Sequence, residues 1–274
     1  MNESQTRYFE GAQEKGASSW LSTLPIKSLG YVLNKQEFQD AVCLRYGWEV
    51  SGLPKICACG QRNNIDHSLI CKLGGFVIMR HDAVRNVEAS LMREVCKDVQ
   101  VEPVLLPANK EELSLRTISG PSARLDIAAR GVWSNNEKTF FDVKLTHVNT
   151  VSNKNKSLSQ IYRTNETGKK NDYNERIMNV EKGTFTPLVF TTTGGMAPEC
   201  LKLNKRLAEL LAHKRNEIYS KVMTHVRTRI RFAILKSTLV SLRGFRGKRM
   251  MVEEDEVGCI DYNLIPKLEC YETY

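Results

Sequence analysis

Apolar residues recur along this chain in two rhythms, and each marks one kind of element. A helical rhythm through Val84, Val87, Leu91 and Val95 predicts an amphipathic helix over 82–97, opening after Gly74-Gly75. Phe38, Val42 and Arg45 share one face of a second helix over 37–46, with Gly47 just past its end. Ahead of it, 20–48 carries Leu21, Leu24, Ile26, Leu29, Val32 and Leu33, while 1–19 is polar and predicts a frayed tail. The two-residue rhythm predicts strands over 99–105, ended by Pro107, and over 123–133 and 139–146. The last two flank the turn-rich Ser134-Asn135-Asn136-Glu137, which makes them a hairpin. A polar helix is predicted over 169–180 and a buried strand over 186–192, closed by Gly194-Gly195. Pro198 opens a helical region to about 242, without Gly or Pro beyond that residue and long enough to break in two. The order helix, three strands, helix, strand, helix predicts an α/β fold, a mixed sheet flanked by helices.

The chain has 274 residues, 41% hydrophobic and 26% charged, values that exclude disordered and fibrous classes. No apolar run approaches a membrane span, and the polar 1–16 predicts no secretory signal. Forty Lys and Arg against 31 Asp and Glu leave a net charge of +9. A polyanion binder needs such an excess to displace counterions from phosphates. Eight cysteines are too few for a disulfide scaffold and point to a reduced, intracellular protein. Cys43, Cys96, Cys200, Cys259 and Cys270 are scattered and read as small hydrophobes.

The other three cysteines form Cys57-x-Cys59-x₇-His67-x₃-Cys71, four soft or borderline ligands within fifteen residues. Structural zinc takes four such ligands in a closed tetrahedron. Gly60 suits the turn that aims backbone N–H groups at a thiolate. No carboxylate base lies inside the cluster, which argues against a catalytic zinc. His81 is a further candidate, as a ligand, a helix cap or a phosphate contact.

The hairpin carries the second constellation. In Phe141-Asp142-Val143-Lys144-Leu145, strand alternation sends Asp142 and Lys144 to one face and the apolar three to the other. Asp126 lies on the opposite arm, between Leu125 and Ile127. Setting the two carboxylates level is expected to require a bulge. Two such carboxylates can hold Mg²⁺ or Mn²⁺ with several waters retained. The cation polarises a phosphodiester and lowers the pKa of bound water, while Lys144 could orient that water or neutralise developing charge. The plainer reading is a hairpin with a solvated polar face.

The order helix, strand, Asp126 strand, Asp142-x-Lys144 strand, helix resembles the PD-(D/E)XK restriction-like nucleases, with Leu125 where the family usually has proline. The resemblance implies metal ligation by Asp126 and Asp142, a catalytic Lys144, and an acidic residue from the first helix. Glu88 and Glu94 both flank the apolar stripe; Glu88 is favoured because it lies in the helix's N-terminal half, as the family's residue tends to. Lys169-Lys170-x-x-Tyr173-x-x-Arg176 is similar to the Lys/Tyr helix that lines the phosphate path in such enzymes, implying nucleic-acid contact by Lys170 and Tyr173.

A Cys-Cys-His-Cys knuckle upstream of such a domain resembles the C-terminal region of site-specific non-LTR retrotransposons, over about 56–190. Trp20-Leu21-x-x-Leu24-Pro25 through Phe38-x-x-Ala41-x-x-x-Arg45-Tyr46-Gly47 also looks like the segment that joins a polymerase to that region. No polymerase palm is present, so the chain is expected to be a truncated element or a free-standing descendant. Arg227, Arg229, Arg231 and Lys236, followed by Arg243, Arg246, Lys248 and Arg249, predict a basic face that positions a nucleic-acid backbone, with Arg227 and Arg231 as contacts.

The resulting expectation has a helical segment over 1–55, a zinc knuckle over 56–75, a restriction-like nuclease core over 76–196 and a basic helical extension over 197–274. Its activity is expected to be Mg²⁺-dependent DNA cleavage, with a catalytically inactive zinc-containing nucleic-acid-binding protein as the alternative. Expected partners are DNA or RNA, a reverse transcriptase encoded elsewhere and a second copy of the chain, with no membrane. The Arg243 to Arg249 cluster predicts nuclear residence.

Overall fold

The computed structural model describes residues 1–108, 113, 117–118, 120, 123–244 and 246. The basic and acidic tail stretches from 247 onward, with Cys259 and Cys270, lie outside the described residues.

Seven α-helices and four strands run in the order α1 (Glu3–Gln13), α2 (Lys35–Tyr46), α3 (Ile65–Ile70), α4 (Phe76–Val95), β1 (Lys97–Val101), β2 (Ile127–Arg130), β3 (Lys138–Thr146), α5 (Leu158–Arg176), β4 (Thr184–Thr191), α6 (Pro198–Arg215) and α7 (Tyr219–Arg243) among the described residues. The strands form one mixed sheet in the order β1-β2-β3-β4. β1, β2 and β3 are antiparallel neighbours, and α5 crosses over so that β4 joins β3 in parallel. β4 is an edge strand, which is where its Pro187 is tolerated.

One sheet face packs Ile127, Phe141, Val143, Leu188 and Phe190 against α4, α6 and α7. The other packs Ala128, Phe140 and Phe185 against Tyr173 and Ile177. The predicted alternation of β3 is therefore present. A third core gathers Tyr8, Trp20, Tyr31, Leu44, Ile65 and Leu69 around Phe232, Leu239 and Leu242 of α7. The N-terminal elements and the knuckle helix α3 thus share their apolar interior with the C-terminal helix. No described helix is long and apolar enough to cross a membrane.

Several boundaries differ from the sequence reading, each for a local reason. The polar 1–19 contains α1, because Asn2 and Gln5 form a capping box and Tyr8, Gly11 and Ala12 bury one face. α4 starts at Phe76, since Gly75 supplies a left-handed N-cap (φ 73°) and Phe76 is buried. α5 begins at Leu158 under a Ser157/Gln160 capping box and ends at Arg176, followed by a π-helical turn over Ile177–Glu181. β1 stops at Val101 because Glu102 turns to φ 53° ahead of Pro103. The expected break in the long C-terminal helix falls at Asn216, in the left-handed region at φ 52°.

Candidate active site and metal centre

β2 and β3 pair without a register shift from Arg130↔Lys138 to Ile127↔Phe141, so the next residues on the two arms are Asp126 and Asp142. No bulge between the arms brings them level, contrary to expectation; the sheet's irregularity lies in β1 between Lys97 and Gln100. The ladder ends at this point. The Asp126 N–H donates to the Phe141 carbonyl at 3.1 Å. The Val143 N–H donates instead to Asp126 Oδ2 at 2.6 Å, which fixes that carboxylate at the strand end.

Each carboxylate has a basic partner. His81, in the second turn of α4, sets Nε2 3.1 Å from Asp126 Oδ2 and from the Val143 carbonyl, with Nδ1 3.2 Å from Asp82. Burial pulls the His81 pKa down, but Asp126 and Asp82 outweigh it and raise it to about 8. Lys169 of α5 places Nζ 2.6 Å from Asp142 Oδ2. Burial raises the Asp142 carboxyl, Lys169 opposes the rise, and the neighbouring charge of Asp126 adds to it. Lys144 is exposed two residues further along β3. At the rim, the Glu102 N–H donates to the Asp126 carbonyl at 2.9 Å, and the Glu102 carboxylate pairs with Arg85 and Arg124.

The acidic candidates on α4 do not join this group. Glu88 is buried at the interface with α6, where it accepts from Asn204 Nδ2 at 3.1 Å. Glu94 pairs with Arg215 and Arg229. Glu88 and His81 lie about two turns apart on one helix side, and only the N-terminal turns reach the strand ends. His81 is therefore the α4 residue at the carboxylates.

The expected nucleic-acid contacts are also placed differently. Lys170 pairs with Glu199 at 2.8 Å. Tyr173 is buried in the core under the sheet, with Lys169 Nζ 5.6 Å from its ring centroid. Arg176 is buried and donates to the carbonyls of Leu106, Ile118 and Gly120, so it pins a loop. Arg231 is 3% exposed, between Glu14, Tyr162 and Gly194, and Arg227 is half-buried beside Gly16. Arg231 therefore adds nothing to an open basic face, because α7 packs against α4, α6 and the N-terminal core, and Arg229 is paired with Glu94. Arg243 is bound to Asp40 and Arg246 to the Ser68 carbonyl.

The cysteine cluster assembles as its spacing implied. One ligand atom from each of Cys57, Cys59, His67 and Cys71 lies within 4.8 Å of all the others. Cys57 Sγ and Cys71 Sγ are 3.9 Å apart, and Cys59 Sγ and His67 Nε2 3.3 Å. A tetrahedron with Zn–S bonds of about 2.3 Å has edges of about 3.8 Å, so this set could hold structural zinc. Gly60 takes φ 87° and donates its N–H to the Cys57 carbonyl at 2.8 Å, closing the first turn. Asn64 caps α3 and accepts from the His67 N–H at 2.8 Å. The adjacent Asp66 turns away to His147 and Tyr8, so no carboxylate enters the cluster.

Neither a protein-family model nor a curated protein matches this chain.

Proposed function

We propose that this protein is a metal-dependent endonuclease of the PD-(D/E)XK type that hydrolyses DNA phosphodiester bonds and derives from a retrotransposon. The observation that carries the reading is the neighbouring pair Asp126 and Asp142, held at one strand end with Lys144 exposed beside them. Their carboxylates supply hard oxygen ligands suited to Mg²⁺ or Mn²⁺. Their mutual repulsion and the two basic groups drawn to them mark a place built for positive charge. When bound, the metal supplies Lewis-acid activation of the phosphodiester and an acidified water. Asp126 is oriented by the Val143 N–H, Lys144 meets the phosphate, and His81 holds a proton beside Asp126 Oδ2. The zinc cluster is structural. DNA as substrate implies work in the nucleus; a second copy of the chain would supply a second cut, and a reverse transcriptase encoded elsewhere would use the nick.

One observation favours the alternative, a catalytically inactive zinc-containing nucleic-acid-binding protein. Lys169 and His81 already neutralise the two carboxylates, as they would in a site that no longer takes a metal. Mn²⁺ binding to zinc-loaded protein, followed by electron paramagnetic resonance, separates the readings. The nuclease binds Mn²⁺ and loses it in Asp126→Asn and Asp142→Asn; a protein that binds none at millimolar Mn²⁺ is the inactive form. Labelled DNA and RNA substrates in the same buffer identify the strand that is cut.

A further inference from the structure

With Arg231, Tyr173 and Lys170 buried or paired, a nucleic-acid strand needs another foothold, and the aromatic residues at the end of α2 offer one. The rings of Phe9 and Tyr46 lie 6.1 Å apart at 20°, and those of Tyr46 and Trp48 lie 4.7 Å apart at 21°. The three form a near-parallel ladder rising from α1, across the last turn of α2, to the residue beyond its cap. Arg45 adds a guanidinium 5.4 Å from the Tyr46 ring centroid.

The ladder is held by backbone. Gly47 sits at φ 61°, and a Cβ there would lie 2.8 Å from Tyr8 Cδ2 and 3.2 Å from Gln5 Cα. Only glycine lets α1 approach this closely while the chain reverses. The Gly47 N–H then donates to the Leu44 carbonyl and the Trp48 N–H to that of Cys43, which folds the indole back over Tyr46. Trp48 nevertheless remains 50% exposed, whereas Trp20 is buried and Trp133 donates its Nε1–H to Thr186. A large apolar ring with one face covered by a parallel ring and half its surface in water is an unfinished stack.

We propose that the Phe9–Tyr46–Trp48 ladder is a stacking platform for single-stranded nucleic acid, a nucleobase seating on the free face of the Trp48 indole. The flat geometry suits a base, which has a π-face whatever its identity. The net charge of +9 suits its phosphates. The platform rests on the nucleic-acid binding that both proposed readings share, and not on cleavage.

The test uses the zinc-loaded full chain with metal-free buffer and a labelled single strand of about a dozen nucleotides, beside a blunt duplex of the same length. Trp48→Ala is expected to weaken single-strand binding by about tenfold or more, Trp48→Phe to recover most of it, and duplex binding to stay within about twofold. In the wild type, the single strand should quench tryptophan fluorescence, and Trp48→Phe should abolish that quenching. Equal single-strand affinity of wild type and Trp48→Ala overturns the proposal. An equal loss for both substrates also overturns it. If Trp48→Ala does not fold, the quenching decides: a wild type saturated with oligonucleotide but unquenched has no base on Trp48.

Discussion

Burial has changed the acidity of Glu88, and the change can be read as stability. Its carboxyl is wholly enclosed, which raises its pKa from 4.5 to about 7 against the opposing pull of Asn204 and Arg229. The folded protein therefore holds a proton that the unfolded chain releases between those values. The stabilising contribution is complete below about 4.5, declines as pH rises and is lost above about 7. At about 1.4 kcal/mol per tenfold, the gap between 4.5 and about 7 amounts to about 3 kcal/mol. Water does not screen the effect, because the side chain is fully buried. Glu88→Gln keeps an oxygen for Asn204 Nδ2, which stands 3.1 Å away, and cannot ionise. Urea unfolding of both proteins across the acid-to-alkaline range isolates the effect, because every other titrating group cancels in the difference. The variant should gain on the wild type by about 3 kcal/mol between about pH 4.5 and about pH 8.5. A difference that stays constant with pH within about 0.5 kcal/mol would refute the argument. The same variant should leave the proposed nuclease activity unchanged, since Glu88 lies away from Asp126 and Asp142.

Three further outcomes follow from the packing and the two charged sites. Purified protein should carry one zinc per chain by elemental analysis, and Cys57→Ser or Cys71→Ser should lose it and melt several degrees lower; wild type without zinc would contradict the cluster. Gly195→Ala would place a Cβ 1.7 Å from Glu14 Oε2 and 1.9 Å from Tyr162 Oη, and should lower the urea stability by about 1–3 kcal/mol. Lys169→Met removes the cation from the buried Asp142 and should destabilise the zinc-loaded fold by about 3 kcal/mol in buffer free of Mg²⁺ and Mn²⁺. Mn²⁺ should raise the melting temperature of that variant more than that of the wild type, and an equal rise would show that Lys169 does not share its place with the metal.

What the sequence made legible was whatever repeats at short range. The alternation of Phe141, Val143 and Asp142 places the carboxylate on the correct face of β3, and the Cys57 to Cys71 spacing brings four ligands together. The break between α6 and α7 was foreseeable from length alone. Long-range partners left no such signal. Lys169 reaches Asp142 only because α5 crosses over the sheet between two parallel strands. His81 displaces Glu88 at the site because α4 meets the strand ends with its first turns, a matter of docking that helical periodicity cannot express. Arg231 read as a surface cation because basic residues on a helix usually are; here an N-terminal helix that looked like a polar tail covers it with Glu14. The α1 capping box, Asn2 and Gln5, was the local cue to that helix.

In the proposed nuclease, Asp126 and Asp142 together hold the metal that activates the phosphodiester of DNA. Purified zinc-loaded protein incubated with supercoiled plasmid and Mg²⁺ or Mn²⁺ tests this most directly, beside Asp126→Ala, Asp142→Ala and an EDTA control. The wild type alone should convert the plasmid to open-circle or linear form, and the plasmid should stay intact in every control. Cleavage at the wild-type rate by folded Asp142→Ala would contradict the site, and no cleavage by folded wild type would contradict the activity.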